Sequence, residues 1–178
     1  AQFGVTSPAQ LGVPPPVQFG LKEKEISHSR GLITKDEIRA VTLHSLRLPG
    51  TGVCLDVGAG SGSVSLEAAM LCPKLKIFAV EQEEEQISHI RENKGRFNLA
   101  NIEIRHGAAP GALKDLPAPN RVFVGGSGGR LGEIVESAGK VMPSGILVVN
   151  AVTIETLQEA IAALEQNGFQ TEVSEVSV

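Results

Sequence analysis

Residues 53–64, which read VCLDVGAGSGSV, join three patterns within one short stretch. The β-rich run 53–57 predicts a strand, and the apolar residues between positions 64 and 69 fit an amphipathic helix. Glycines at a spacing of two lie between these segments, namely Gly58, Gly60 and Gly62. Because glycine reaches positive φ without steric cost, they predict an abrupt turn from strand to helix. The first turn of that helix presents N–H groups that have no helical partner.

The spacing of the glycines discriminates between the ligands that bind to such turns. The dinucleotide fingerprint G-x-G-x-x-G requires a glycine where this sequence has Ser63, and no Lys-Ser or Lys-Thr pair closes a phosphate-binding loop. The pattern D-x-G-x-G-x-G from Asp56 to Gly62 instead resembles the first motif of class I methyltransferases that depend on S-adenosylmethionine (SAM). A purely structural strand–helix turn without a ligand is the alternative at this point.

Composition excludes several classes of partner. A chain of 178 residues with 42% hydrophobic and 20% charged residues predicts one main globular domain. With a net charge of −4, no run of lysine or arginine, and no Trp or Tyr, we expect no nucleic-acid partner. The sequence has no long apolar run and no signal-peptide pattern, which favours a soluble, cytoplasmic protein without a membrane partner. Cys54 and Cys72 are expected to be reduced thiols, and no metal-ligand spacing is present.

The N-terminal region divides into an arm and the start of the domain. Residues 1–20 are rich in Pro, Gly and Gln, which predicts an extended arm or inter-domain linker before a domain at 21–178. Thr34 and Glu37 form a capping-box pattern, so we expect Thr34 to be the N-cap of a helix that ends near Pro49.

Strands and helices alternate after the glycine turn. Further strands are predicted at residues 77–80, 102–105, 121–124, 146–149 and 169–178, and helices at 84–97, 131–141 and 154–167. This alternation predicts an α/β fold with a doubly wound, mostly parallel sheet. In such sheets ligands bind at the carboxyl ends of the strands. Features at these predicted ends are the glycine turn, Glu81, Ala108-Ala109, the loop Gly125–Gly129, and Asn150.

Two acidic residues near the turn receive different predictions. Glu81 ends the second strand, where a carboxylate can accept hydrogen bonds from both ribose hydroxyls of an adenosine. The alternative is that Glu81 belongs to the solvated acidic run that follows it. Asp56 lies within the first strand, and we expect it to hold the glycine loop by accepting backbone N–H bonds.

The loop Gly125–Gly129 would be a flexible linker in another context. Between a strand and a helix, it instead predicts backbone that passes close to a bulky ligand and offers N–H groups to a carboxylate. Four histidines show no catalytic spacing, and His28 and His106 are the two that we would test as acid–base groups.

The chain resembles the precorrin-6Y C5,15-methyltransferase family of cobalamin biosynthesis, in its C-terminal domain that methylates C-15 and decarboxylates an acetate side chain. The resemblance is carried by residues 19–21 (FGL), 31–40 (GLITKDEIRA), 56–62, 122–129 (VFVGGSGG) and 150–153 (NAVT). It implies the class I, Rossmann-like fold of seven strands, whose last strand inserts antiparallel between the fifth and sixth. Because no segment follows the sixth predicted strand, we expect this last strand to be missing from the chain. The resemblance also implies a homotetramer, and a C-5 methylating domain fused upstream.

The resemblance also implies roles for individual residues. SAM, which would leave as S-adenosylhomocysteine, would be bound by residues at or near the predicted edge: Thr34, Asp56, Gly58, Ala59, Gly60, Ser61, Gly62, Glu81, Ala108 and Ala109. Thr34 has a simple N-cap as its alternative role. Ala108 stands where many methyltransferases have an acid, so backbone and apolar contacts would recognise the adenine.

The carboxylates of a tetrapyrrole need cations and polar groups. We expect catalytic contacts from Arg39, Ser127 and Asn150, and substrate binding by Lys35, Gly126, Gly128 and Arg130, with Arg30 as a further cation. Each cation has an ordinary surface charge as its alternative. Two other functions remain open, namely a class I methyltransferase that acts on RNA or protein, and a non-catalytic SAM-binding subunit. A nicotinamide oxidoreductase is disfavoured by the glycine spacing.

Overall fold

The computed structural model describes residues 19–29, 31 and 33–178 of the chain. The arm predicted for residues 1–20 therefore lies outside the described residues except for Phe19 and Gly20, and Arg30 lies outside them as well. No helix in the described part of the chain is both long enough and apolar enough to cross a membrane.

The described part of the chain contains five α-helices and five strands. In order they are α1 (Asp36–Leu46), β1 (Gly52–Val57), α2 (Ser63–Leu71), β2 (Leu75–Glu81), α3 (Glu84–Arg96), β3 (Ile102–His106), β4 (Arg121–Val124), α4 (Leu131–Val141), β5 (Ile146–Val149) and α5 (Ile154–Gln166). Short 3-10 helices at Glu23–Glu25 and Gly111–Leu113 were not predicted from the sequence. The remaining elements confirm the predicted alternation.

The strands form one parallel sheet in the order β3-β2-β1-β4-β5. Side chains of successive strand residues point to opposite faces of the sheet, so neighbouring positions supply two separate cores. Cys54 packs on the face covered by α1, α2 and α3, whereas Leu55 packs on the face covered by α4 and α5. Helices on both faces confirm the predicted doubly wound α/β fold, and β1 lies at its centre.

The prediction of a sixth strand at residues 169–178 is wrong. This segment forms no strand, and β5 has one strand neighbour, β4, in the described part of the chain. An extended segment becomes a strand only by hydrogen bonding to a neighbouring strand, and the local sequence does not supply that neighbour.

The prediction of Thr34 as an N-cap is also wrong. Helix α1 has Lys35 as its N-cap, and no side chain caps the helix. The main chain before α1 is instead held through the carbonyl oxygen of Thr34, which accepts a hydrogen bond of 2.9 Å from Arg39 Nη1. A hydrogen bond from the buried side chain of Arg39 to this backbone carbonyl thus replaces the side-chain cap that the sequence pattern predicted.

Candidate functional site

The glycine turn between β1 and α2 is closed by backbone hydrogen bonds. The N–H groups of Gly58 and Ala59 donate to the carbonyl oxygen of Val80 at 2.9 and 3.1 Å, and Gly62 N–H donates to Ala59 at 2.8 Å. The three glycines of the turn all have positive φ, at 68°, 56° and 80° for Gly58, Gly60 and Gly62. The turn predicted from the glycine spacing is therefore confirmed, together with its physical reason.

The three glycines face different surroundings. A Cβ atom on Gly58 would lie 2.3 Å from the carbonyl oxygen of Gly126, and one on Gly62 would lie 3.2 Å from Cγ1 of Ile90. A Cβ atom on Gly60 would meet no atom within 4 Å. Gly60 is therefore the glycine of this turn whose Cα faces open space at the carboxyl edge of the sheet.

Glu81 connects the end of β2 to this turn. Its Oε2 accepts a hydrogen bond of 2.8 Å from Gly60 N–H, and its Oε1 accepts from the N–H groups of Gln82 and Glu83 at 2.7 and 3.0 Å. The residue is 8% exposed, so it is not part of the solvated acidic run. Since each carboxylate oxygen has two lone pairs, Oε2 keeps the capacity to accept from a ligand hydroxyl.

Asp56 holds helix α2 and not the glycine loop, which corrects the prediction. Its Oδ2 accepts from Ser65 N–H at 3.1 Å and from Ser65 Oγ at 2.6 Å, whereas its Oδ1 has no protein partner. The pKa of Asp56 is raised to about 6, mainly by burial; the hydrogen bonds from Ser65 oppose the increase, and the charge of Glu81 adds to it.

The second glycine-rich loop divides into two parts. Gly125 and Gly126 donate to the carbonyl oxygen of Val57 at 2.9 and 3.3 Å, so this part packs on the glycine turn. Gly128 and Gly129 have positive φ, and a Cβ atom at either position would meet nothing within 4 Å. The open space that a ligand requires is therefore found at the second part of the loop.

Asn150 directly follows β5 at the same edge. Its backbone N–H donates to Val124 at 3.1 Å, which continues the sheet, and its side-chain amide lies 3.2–3.3 Å from the hydroxyl of Thr42 on α1. Thr42 is buried and Asn150 is half-buried. The contact fixes the orientation of the Asn150 amide between α1 and the edge.

Arg39 does not have the placement that its predicted role requires. Its side chain is fully buried and donates to Glu67 Oε2 at 3.0 Å, to Asp36 Oδ1 at 3.0 Å, and to the carbonyl oxygens of Thr34 and Leu21. A guanidinium with four protein partners and no exposed surface has no position for a substrate carboxylate. The prediction of Arg39 as a catalytic contact is therefore corrected to a structural role.

Sequence reasoning did not identify Glu67, the buried partner of Arg39. Glu67 is 1% exposed, and its Oε1 accepts from the backbone N–H groups of Gly20, at 2.8 Å, and of Leu21. The signal was available, because Glu67 is the one charged residue in α2. A carboxylate in an otherwise apolar helix requires a buried partner.

The remaining predicted residues surround the edge without forming a single cluster. Ser61 is 1% exposed, and its Oγ has no hydrogen-bond partner in the described structure. Lys35 and Ala108 are exposed, and Thr34, Ala109 and Ser127 are half-buried. The exposed Arg130 forms an ion pair of 2.8 Å with Glu133, so its charge is partly neutralised.

The two histidines singled out earlier interact with main-chain and acidic groups. His106 Nε2 lies 3.1 Å from the carbonyl oxygen of Gln82, and Nδ1 lies 3.3 Å from Glu84. His28 Nδ1 lies 2.8 Å from the carbonyl oxygen of Ser29, and its Nε2 lies 3.5 Å from Glu23. These contacts hold local backbone, and neither histidine contacts the glycine turn.

A glycine turn, a strand-end carboxylate and a second glycine-rich loop thus lie together on one edge of the sheet. The model of the precorrin methyltransferase domain family matches residues 25–178. The chain belongs to this family. The protein is therefore an enzyme, and it has the class I methyltransferase fold.

Curated relatives cover most of the chain. A probable cobalt-precorrin-6B C(15)-methyltransferase (decarboxylating) of Pyrobaculum calidifontis is 38% identical over 162 residues, which is 89% of this chain and 83% of that protein. The cobalt-precorrin-6B C(15)-methyltransferase (decarboxylating) of Salmonella typhimurium is 39% identical over 137 residues, which is 76% of this chain and 70% of that protein.

Solved structures agree with the fold. The precorrin-6Y C5,15-methyltransferase of Geobacter metallireducens superposes with a TM-score of 0.86 at 45% identity and covers 89% of this chain and 85% of its own. The precorrin 8W decarboxylase of Methanobacterium thermoautotrophicum has a TM-score of 0.78 at 31% identity, with 84% and 82% coverage. A SAM-dependent O-methyltransferase of Thermotoga maritima, at 18% identity and a TM-score of 0.68, covers 77% of this chain and 52% of its own and shows the fold alone.

Proposed function

We propose that this protein transfers a methyl group from SAM to C-15 of a precorrin and decarboxylates an acetate side chain of the same tetrapyrrole, in cobalamin biosynthesis. The observation that carries the proposal is the open space over Gly60, next to the carboxylate of Glu81. The two curated relatives described above are named for this activity, and they are 38% and 39% identical to this chain over most of its length.

The residues of the turn fit SAM in chemical character. Gly60 has no side chain to fill the space, and Glu81 Oε2 has a free lone pair for a ribose hydroxyl. The buried Oγ of Ser61 has no protein partner, and buried polar atoms without a partner call for a ligand or water. Thr34, Ala108 and Ala109 would contribute the outer contacts. SAM supplies an electrophilic methyl group on a sulfonium when it is bound.

The chain itself would act mainly by positioning its substrates. An electron-rich carbon of a reduced tetrapyrrole attacks without a strong base, so orientation and exclusion of water account for most of the catalysis. Asn150, whose amide is oriented by Thr42, and Ser127 are the polar contacts that we propose for the macrocycle. The backbone of Gly128, in the open part of the loop, would approach the substrate most closely, with Gly126 beside it where the loop packs on the glycine turn.

The carboxylates of the substrate need cations at the edge. Lys35 is exposed, and Arg130 is exposed in its pair with Glu133, so both are accessible to a substrate. Because the chain has a net charge of −4, we propose that a homotetramer brings further cations to each site. Light scattering on the purified protein tests this assembly, and a monomer would contradict it. We also propose that a C-5 methylating domain is fused upstream of this domain and that the protein is cytoplasmic.

The test combines the reaction with one matched pair of variants. The wild type, SAM and a purified precorrin intermediate are expected to give a product that has gained a methyl group and lost CO2, as measured by mass spectrometry. Glu81→Gln should weaken SAM binding roughly tenfold or more, because it loses the charge and half of the acceptor capacity. Glu83→Gln, an exposed acid on the same loop, is the control. A wild type that fails to bind SAM in calorimetry would overturn the proposal.

A further inference from the structure

The segment of residues 19–29, which we call the N-terminal strap, lies across helices α1, α2 and α3. Its first part is held by the buried acid Glu67, which accepts from Gly20 N–H at 2.8 Å. Its last part lies along α3, where Ser27 Oγ donates to Glu92 at 2.7 Å and Ser29 Oγ donates to Glu85 at 2.5 Å. The strap is therefore anchored at both ends.

Asn93 of α3 joins this strap to the glycine turn. Its side chain is fully buried, and its Oδ1 accepts from Ser27 N–H at 2.8 Å. Its Nδ2 donates to the carbonyl oxygen of Ser27 at 2.8 Å and to that of Ser61 at 3.1 Å. One amide thus binds both backbone groups of a strap residue and one carbonyl of the turn.

The contact with Ser61 determines the orientation of a whole peptide plane. The Ser61–Gly62 peptide is planar, so its carbonyl and its N–H point in opposite directions. Asn93 holds the carbonyl, and Gly62 N–H donates to Ala59 at 2.8 Å. The turn between Ala59 and Gly62 is therefore held at both ends, and it encloses Gly60, whose N–H donates to Glu81.

The chemistry of the position requires an amide. The three bonds need one acceptor and two donors on a short side chain, which asparagine supplies. Aspartate of the same shape can still accept from Ser27, but it places a carboxylate against the carbonyl oxygens of Ser27 and Ser61. Aspartate at this position therefore loses the hydrogen bonds to the carbonyl oxygens of Ser27 and Ser61, and with them the connection between the strap and the turn.

We propose that Asn93 is a positioning residue for SAM binding, which holds the glycine turn in its binding conformation by tying Ser61 to the N-terminal strap. The proposal rests on the proposed function, since it concerns the same cofactor site. It predicts that the strap and the cofactor stabilise each other through Asn93.

The test compares two substitutions of the same type at two ends of the sheet. Asn93→Asp removes both donated hydrogen bonds, the one to Ser27 in the strap and the one to Ser61 in the turn. Asn101→Asp is the matched control, because Asn101 Nδ2 also donates to backbone carbonyls, those of Ala69, Cys72 and Leu75 at 3.1–3.2 Å, but lies before β3 at the opposite edge. Asn93→Asp should lose more stability than Asn101→Asp, because Asn93 is fully buried and Asn101 is half-buried, so SAM affinity is compared under conditions in which both variants are folded.

The readouts are SAM affinity by calorimetry and amide hydrogen exchange of the strap. Asn93→Asp should weaken SAM binding about tenfold, and Asn101→Asp less than about threefold. In the wild type and in Asn101→Asp, SAM should slow exchange of the Ser27 amide, whereas in Asn93→Asp this effect should be lost. Equal effects of the two variants on SAM affinity and on strap exchange would overturn the proposal.

Two further outcomes are separated by the design. If the wild type binds no SAM, the proposed function fails and not the role of Asn93 alone. If Asn93→Asp does not fold, Asn93→Gln keeps one acceptor and two donors on a longer chain and should bind SAM with an intermediate affinity. If Asn93→Gln also fails to fold, amide hydrogen exchange in the wild type tests the proposal. An exchange rate of the Ser27 amide that does not fall when SAM binds would contradict it.

Discussion

The backbone of Gly126 lies so close to Gly58 that Gly58 has no room for a side chain. A Cβ atom on Gly58 would lie 2.3 Å from the carbonyl oxygen and 2.7 Å from the Cα of Gly126. The approach follows from the pairing of β1 with β4, in which Val57 is opposite Val124. The two glycine motifs of the sequence therefore form one structure at the carboxyl edge.

We expect the two glycines to respond differently to the same substitution. Gly58→Ala introduces a backbone clash at positive φ and should lower the free energy of unfolding by about 3 kcal/mol. Gly126→Ala should cost less than about 1 kcal/mol, because its Cβ would lie 3.8 Å from Gly58 Cα, an ordinary contact. Urea denaturation measures both, and equal losses would contradict the close approach.

Gly60 allows the cofactor space to be tested separately from stability. Gly60→Ala should cost about 1 kcal/mol of stability for its φ of 56°, while the new methyl group occupies the open space and weakens SAM binding at least about tenfold. Gly168→Ala is the control, since Gly168 has a φ of 78° and open surroundings just after α5, away from both glycine loops. Calorimetry with SAM that finds the same affinity in both variants would count against the proposed cofactor site.

The raised pKa of Asp56 should make the free energy of unfolding depend on pH. Its pKa is raised from 3.8 to about 6 in the folded protein, so the folded state keeps the proton that the unfolded state releases. This contribution is fully present below about pH 4 and is lost as the pH rises to about 6, a change of roughly 3 kcal/mol. Asp56→Asn should remove this part of the pH dependence.

The measurement is the free energy of unfolding from urea titrations between pH 4 and 7. The difference between wild type and Asp56→Asn should shift in favour of the variant as the pH rises through this window. A difference that stays constant with pH would show that Asp56 does not titrate there.

The sequence predicts that both Arg39 and Arg130 contact the substrate, Arg39 as a catalytic contact and Arg130 as a binding residue, and their placement predicts different losses of stability. Arg39→Met leaves Glu67 buried without its cation and should lower stability by about 3 kcal/mol. Arg130→Met removes an exposed ion pair that solvent screens, and should leave the stability close to that of the wild type. Thermal and urea unfolding measure both, and an Arg39 variant that is as stable as wild type would restore the possibility of a substrate contact.

The fold was predictable because its signals are local. The helix and strand periods, the glycines at positive φ and the strand end at Glu81 each depend on a few neighbouring residues. The alternation of strands and helices then restricts the topology to a parallel, doubly wound sheet. Roles that depend on which side chains are buried together were less predictable. The hydrogen bonds at Thr34 and Asp56 go to Arg39 and Ser65, which lie near them in the sequence but are selected by burial and not by a local motif.

The amino-acid sequence alone therefore determined the strand–turn–helix unit, the order of the five helices and five strands in the described part of the chain, and the sheet edge at which we propose that a ligand binds. Only the tertiary structure decided that Arg39 is buried, that residues 169–178 form no strand, and that Asn93 joins the strap to the turn. The physical reason is the same in each case. Periodicity and glycine conformation are properties of neighbouring residues, whereas burial, strand pairing and the bonds of a buried amide depend on residues far apart in the chain.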